Sequence, residues 1–295
     1  MGLAGSVTRV TRRQLLLESL RRYWFKFSRS KLSVVGLAIS LSTVFIAVFA
    51  HYLAPYPDHA GFYISFEDAL KPPSWEHPFG TDEYGRDVFS RVLFGFRFSL
   101  KLAGVVLSIV IPVGVLLGLI AGYYRGRIID MAIMRVADIF IAVPPLVLAL
   151  AITSLLGPSL VNAMIAVTLM WWPWYTRLTY NVVSSVRNEP FVIAAELAGA
   201  KPLRIMFREI MPVIVGPILT KATLDVGWVI LIGAALSFVG LGAQPPTPDL
   251  GTMVAEGIKL MPEYWWISIF PALAIAFIIL GFNLLGDGVK DMFTE

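Results

Sequence analysis

The sequence predicts an all-α integral membrane protein that crosses the bilayer six times. Three observations carry that reading. Of the 295 residues, 57% are apolar or aromatic and only 15% are charged, and the mean hydropathy is +0.74. A soluble globule needs far more polar surface than this, and a disordered chain is apolar-poor and charge-rich. Five stretches of 23 to 38 residues contain no Asp, Glu, Lys or Arg, and each is long enough to cross ~30 Å of hydrocarbon. Finally, 18 of the 24 Lys and Arg residues fall on one side of the resulting topology. Cytoplasmic segments carry that excess, so both termini are expected in the cytoplasm.

The elements follow in order. Residues 1–31 form a basic amphipathic segment. Leu15, Leu16, Leu20, Tyr23, Trp24 and Phe27 make an apolar stripe at helical spacing, flanked by Arg12, Arg13, Arg22, Lys26 and Arg29, which suits a helix lying in the cytoplasmic interface. No early apolar run or small-residue cleavage site precedes Lys31, so no cleaved leader is expected. The first span covers about residues 32–54. An external segment, 55–100, leads to the second span, 101–124. The uncharged run 139–176 is about 57 Å of helix at ~1.5 Å per residue, nearly two bilayers. The turn residues Leu156, Gly157, Pro158 and Ser159 sit near its middle, so it reads as two spans, 136–156 and 160–178, joined by a hairpin. A cytoplasmic loop, 181–216, precedes the fifth span, 217–242. A shorter external loop, 243–263, precedes the sixth, 264–286.

The sequence speaks against an enzyme. There is no Cys, and so no disulfide framework or thiol nucleophile. His51, His59 and His77 cluster around the first external segment without the spacing of a metal face, and read as surface or interface histidines. Asp138 and Asp225 are the intramembrane carboxylates. Their placement near cytoplasmic span ends, three residues from Arg135 and four from Lys221, predicts local helix ion pairs rather than a catalytic dyad. No phosphate-binding Gly-x-x-x-x-Gly-Lys-Ser/Thr occurs. If ATP drives this protein, another chain binds and hydrolyses it, and no cofactor or metal is expected on this one. Trp171, Trp172 and Trp174 suit an interfacial aromatic belt or, alternatively, the wall of a solute cavity.

The cytoplasmic loop is the most informative segment. Pro190 and Pro202 can each open a helix, where no N–H is needed. Gly199 can adopt the left-handed conformation that ends one. This predicts a short helix exposing Ala194, Ala195, Ala198 and Ala200, a sharp turn, and an amphipathic helix ending at Pro212. The loop either inserts into a partner's groove or lies on lipid headgroups, anchored by Arg204 and Arg208.

This stretch resembles the EAA loop of ABC importer permeases. Ala194, Ala195, Gly199 and Pro212 fall at matching places, while Ile193, Glu209 and Met211 depart from the general pattern. Arg204, Ile205, Phe207, Arg208 and Ile210 resemble the version found in the peptide-importer branch. The external signature of that branch is matched by Gly80, Thr81, Asp82, Gly85, Arg86, Asp87, Ser90 and Arg91. Leu236 to Gly242, the proline cluster 245–248 and Gly251 also agree with it. Together these matches identify the chain as similar to the C-type permease subunit of the dipeptide/oligopeptide/nickel importer family.

The resemblance implies a type I importer permease fold, with coupling to ATPases through Ala194, Ala195, Glu196, Gly199, Ala200, Arg204, Arg208 and Pro212. It also implies a homologous second permease, two ATPase subunits and an extracytoplasmic solute-binding protein. The implied solutes are di- or oligopeptides, with oligosaccharides or nickel as alternatives. The competing class is a stand-alone secondary transporter or channel, which ordinarily needs ionisable or coordinating groups at the bilayer midplane.

Overall fold

The computed structural model describes residues 12–293; Arg9 lies outside them, as do the side chains of residues 12–17, 19 and 20, including Leu15, Leu16 and Leu20. Among the described residues the regular structure is helical, apart from one antiparallel bridge between Thr81 and Asp87. The helices are α1 (Arg12–Ser28), α2 (Lys31–Leu53), α3 (Val88–Tyr123), α4 (Ile128–Ile141), α5 (Pro145–Leu156), α6 (Leu160–Val186), α7 (Pro190–Leu197), α8 (Pro202–Phe238), α9 (Leu250–Ile258) and α10 (Trp266–Phe293).

By length and composition α2, α3, α8 and α10 could each cross a membrane. Helices α4 and α5 meet the same test as a pair, but they are bent by 88°. The 27-residue α6 is less apolar, carrying Asn162, three Trp, Tyr175 and Arg177.

The packing is that of a membrane protein. The buried face of α2 is made of small residues at helical spacing, Ser33, Gly36, Ser40, Thr43, Ala47 and Ala50. Its large side chains, including Leu41, Phe45, Val48 and Tyr52, point outward. A soluble helix does the reverse. In lipid, small residues let helices approach closely while bulky apolar ones face the acyl chains. The same device joins α3 to α6, the most extensive helix pair. Gly114, Gly118 and Gly122 recur every fourth residue, and a Cβ on Gly114 would lie 2.5 Å from Cβ of Tyr175. Any larger residue would force those helices apart.

Three expectations need correction. The span 136–156 is not one helix: α4 ends at Ile141 and α5 begins at Pro145. Pro144 is extended, with φ −53° and ψ 131°, because Pro145 crowds the residue before it out of the α region and donates no hydrogen bond. The amphipathic helix does not end at Pro212 either. It runs on to Phe238, with one widened turn at Ile205–Ile210 in which Met211 N–H reaches the Met206 carbonyl. Such a turn accommodates the missing proline N–H and the ring's clash without breaking the helix. Lastly, the helix of the second span does not begin at residue 101: residues 88–100 are already the first turns of α3.

Helix α1 docks through Phe27, which is buried against Gly288, and through Tyr23, whose ring lies 5.8 Å from that of Phe293. Trp24 and Phe25 remain exposed.

Candidate functional site

Two regions hold the residues singled out above, at opposite ends of the helical layer. At one end, residues 54–87 fold into a cap over the start of α3. Gly80 and Gly85 have φ of +72° and +77°, which makes the tight turns around Asp82 possible. The Asp82 carboxylate accepts from the backbone N–H of Tyr84 and Arg86 (2.9 Å each) and from Arg86 Nε (2.7 Å). Arg91 Nε lies 3.6 Å from the same carboxylate. Arg91 Nη1 donates to the carbonyls of His59 and Pro246, both at 3.2 Å. Asp87 caps α3, accepting from Ser90 N–H at 2.7 Å, and Ser90 Oγ accepts from Tyr56 N–H. Trp266, at the start of α10, donates its indole N–H to the Thr81 carbonyl at 3.1 Å.

The external signature is therefore a folded, buried unit. Asp87 is 0% and Arg91 2% exposed, and Thr81, Asp82, Arg86 and Ser90 are also buried. Its ion pairs are not laid along a helix face: Asp82 and Arg86 sit in a turn, and Arg91 reaches back to Asp82. The surface of the cap is formed instead by Phe62, Ile64, Phe66 and Trp75, all strongly exposed.

Two of the histidines expected at a surface or interface belong to this unit. His59 Nδ1 accepts from the Asp87 backbone N–H at 2.9 Å, and His77 Nδ1 lies 3.0 Å from Asp87 Oδ1. His59 and His77 are both buried, whereas His51 is exposed. Nothing in their spacing signals this, because the contacts depend on the turns between residues 57 and 87.

Burial lowers the pKa of His59, opposed by the charge of Asp87. A folded pKa below the unfolded value means that stability is complete above the ordinary value near 6.5 and is lost as pH falls through the depressed folded value. Protonation also converts the Nδ1 acceptor into a donor facing another donor. An unpaired buried N–H costs about 1–3 kcal/mol. Glu256, whose pKa burial raises, titrates in the opposite sense, so the comparison must be with a variant. We expect the heat-inactivation midpoint to fall more steeply below pH 6.5 in the wild type than in His59→Asn, whose amide oxygen can accept at any pH. Parallel pH profiles would remove His59 from this role.

At the other end, α7 stands between α6 and α8. Pro190 and Pro202 occupy the first turns of α7 and α8. Gly199 has φ +79°. Its N–H donates to the Glu196 carbonyl and the Ala200 N–H to the Ala195 carbonyl, at 2.8 and 3.0 Å, the paired bonds of a glycine-terminated helix. Val192 is buried beneath α7. Glu196 is tethered to Arg187 at 2.5 Å and accepts from the Tyr123 hydroxyl at 3.3 Å, so α7 is tied to the ends of both α6 and α3. Phe191, Ile193, Ala194, Leu197, Ala198 and Gly199 are exposed, Leu197 at 85%. Ala195 and Ala200 are half-buried against the core rather than exposed. Arg204 and Arg208 are exposed, and Pro212 lies within α8.

Between these ends, Asp225 pairs with Lys221 at 3.0 Å, one turn away on α8, and accepts from Trp171 Nε1–H of α6 at 2.8 Å. Trp171 is thus a buried cross-helix donor rather than part of an interfacial belt. Asp138 does not pair with Arg135; it meets Arg177 of α6 at 3.2 Å.

The comparisons agree with this architecture. Residues 114–294 match the model of the binding-protein-dependent transport system inner membrane component family, and residues 19–73 match the N-terminal TM domain of oligopeptide transport permease C. The chain is 42% identical over 273 residues to a dipeptide transport system permease protein of Alkalihalophilus pseudofirmus, covering 92% of this chain and 88% of the relative. It is 43% identical over 281 residues to a di/tripeptide transport system permease protein of Pseudomonas aeruginosa, covering 92% and 90%. In fold it resembles a chain of the MetNI methionine ABC transporter, with a TM-score of 0.51 and 19% identity over 70% of this chain and 94% of that one. A multi-pass helical chain with these matches across its length is a transport permease subunit, and it belongs to the family of binding-protein-dependent transport system inner membrane components.

Proposed function

We propose that this chain is one permease half of a binding-protein-dependent ABC importer for di- and oligopeptides, coupled to separate ATPase subunits through α7. The carrying observation is the exposed apolar face of α7, held on a rigid base by Val192, Glu196 and the Gly199 turn. Exposed apolar residues on an anchored helix are suited to burial in a partner's groove. The peptide class is supported by the relatives, which transport di- and tripeptides by name. In this reading the six crossings are α2, α3, the bent pair α4–α5, α6, α8 and α10. Both termini and α7 are cytoplasmic, and the cap is external. A second homologous permease completes the pathway. The two ATPases bind the ATP, and an extracytoplasmic binding protein delivers solute to the exposed aromatic surface of the cap.

The absence of cysteine makes the topology directly testable. Ser74→Cys in the cap should react with an impermeant thiol reagent from outside intact cells. Leu203→Cys, at the start of α8, should react only after permeabilisation. Labelling of Ser74→Cys from the cytoplasmic side alone would overturn the orientation and, with it, the coupling role of α7.

A further inference from the structure

A cavity of about 580 Å³ opens between α6, α8 and α10. Its wall carries Leu178, Thr220, Lys221, Asp225, Trp228 and Lys290. Lys221 is partly exposed on that wall and pairs at 3.0 Å with Asp225, which is 3% exposed and fixed from behind by the Trp171 indole. Lys221 Nζ also lies 5.2 Å from the centre of the Tyr175 ring. Asp225 is not at the end of its helix. From residue 225 to the end of α8 at Phe238 the helix rises about 20 Å, and from Leu160 to Trp171 α6 descends about 16 Å, at ~1.5 Å per residue.

Ionisable groups within a membrane-spanning helix are expensive when they face lipid, by a few kcal/mol for each charge on insertion scales. The outward face of α2 meets lipid with Leu41, Phe45 and Val48. The face of α8 that bears Lys221 and Asp225 sets an ion pair among apolar neighbours. In the membrane it must therefore be turned toward protein or water. Trp228, 53% exposed at the rim, supplies an apolar surface beside the charges. The volume lies within the ~300–1,000 Å³ range of sites for small organic ligands.

We infer that this cavity is a solute-contact site on the translocation pathway, in which Lys221, held in place by the buried Asp225, takes the carboxylate of a short peptide. The site rests on the importer reading above and adds to it the face of this chain that lines the pathway. Trp228 and Leu178 accept the peptide's side chains. A charge-assisted hydrogen bond of this kind is formed only with a free carboxylate, so the site discriminates peptides from analogues blocked at that end.

The test uses the importer complex in nanodiscs, without binding protein, so that capture by that protein does not set the result. Thr220→Cys and Trp228→Cys should react with a charged thiol reagent, and lipid-facing Val44→Cys on α2 should not. Dialanine should slow labelling of Trp228→Cys severalfold, whereas N-acetyl-dialanine amide should not. Adding Lys221→Gln should abolish protection by dialanine, a loss of about tenfold in affinity or more, corresponding to about 1.4 kcal/mol. Alanyl-alanine amide, which has no carboxylate, should protect the Lys221→Gln background and the parent equally weakly. Failure of both cysteines to react, or equal protection by free and blocked peptides, overturns the site. Dialanine uptake by the wild-type complex in proteoliposomes supplied with binding protein separates the two levels. Uptake without labelling leaves the importer reading standing and removes the site; labelling with neither uptake nor protection removes the peptide class and the site together.

Discussion

Replacing Leu197 by Asp should abolish transport while leaving the protein inserted and of normal abundance. Leu197 is 85% exposed on α7, so the substitution disturbs nothing within the chain. If α7 enters a groove of an ATPase, the Asp carries an unpaired charge into that contact, at a cost of several kcal/mol. Each 1.4 kcal/mol is a factor of ten, so uptake should fall at least about a hundredfold. Ala198→Asp should behave the same way. Ala195→Asp is a poorer probe, because Ala195 packs against the core and its loss of function would include misfolding. Gly199→Val tests the turn instead: at φ +79° a residue with a Cβ is strained by about 1–2 kcal/mol. Open space surrounds that position, so the defect would come from the backbone and not from a clash. Gly199→Asn, which tolerates that conformation, should retain most transport. The measurements are uptake into proteoliposomes and the response of ATPase activity to loaded binding protein. Normal uptake by Leu197→Asp and Ala198→Asp would mean that α7 lies on the membrane surface and couples nothing.

Much of the fold was legible because a membrane imposes strong constraints on sequence. Uncharged runs overlap α2, α3, α8 and α10, but α3 and α8 begin well before theirs, at Val88 and Pro202. The loop containing α7 could be read from three residues, Pro190, Gly199 and Pro202, since each admits few backbone conformations. The errors have equally specific causes. Pro144 and Pro145 sit in an uncharged run, where hydropathy is silent about a bend of 88°. Pro212 looked like a terminator, but the widened turn at Ile205–Ile210 carries the helix past it. The packing of α3 on α6 is written in the sequence as the four-residue repeat Gly114, Gly118 and Gly122. The cap was legible as a motif and opaque as a structure. Asp82, Arg86 and Arg91 could be named, but their partners at His59 and Pro246 are 32 and 155 positions from Arg91, and no local periodicity encodes such contacts. Trp171 and Asp225 are likewise 54 positions apart, so a residue that reads as an aromatic-belt member is in fact a cross-helix donor.

Arg91→Met should produce the largest loss of stability of any single change in the cap. The Arg91 side chain is 2% exposed. It joins three segments distant in sequence, reaching the His59 carbonyl, the Asp82 carboxylate and the Pro246 carbonyl. Removing one partner from a buried charged network costs about 3–5 kcal/mol, because the groups left behind lose both their hydrogen bonds and their neutralising charge. In a chain of this size that corresponds to a fall of about 10 °C in the unfolding midpoint. Glu256 is affected in the same direction. Burial already raises its pKa and the charge of Arg91 opposes that shift, so the variant leaves a buried carboxylate less compensated. Arg91→Lys should recover only part of the loss, because one ammonium cannot reproduce the planar fork that reaches two carbonyls at once. Arg86→Ala should be milder. Asp82 would still accept from two backbone N–H groups and retain Arg91, and one Arg86 terminal nitrogen is already without a partner. Transport by surviving Arg91→Met protein at low temperature should be close to normal, since the side chain is enclosed and touches no solvent-facing surface. An unchanged midpoint would mean that the cap is held by its aromatic and backbone contacts alone. A normal midpoint with lost transport would instead assign Arg91 to the passage of solute rather than to the framework of the cap.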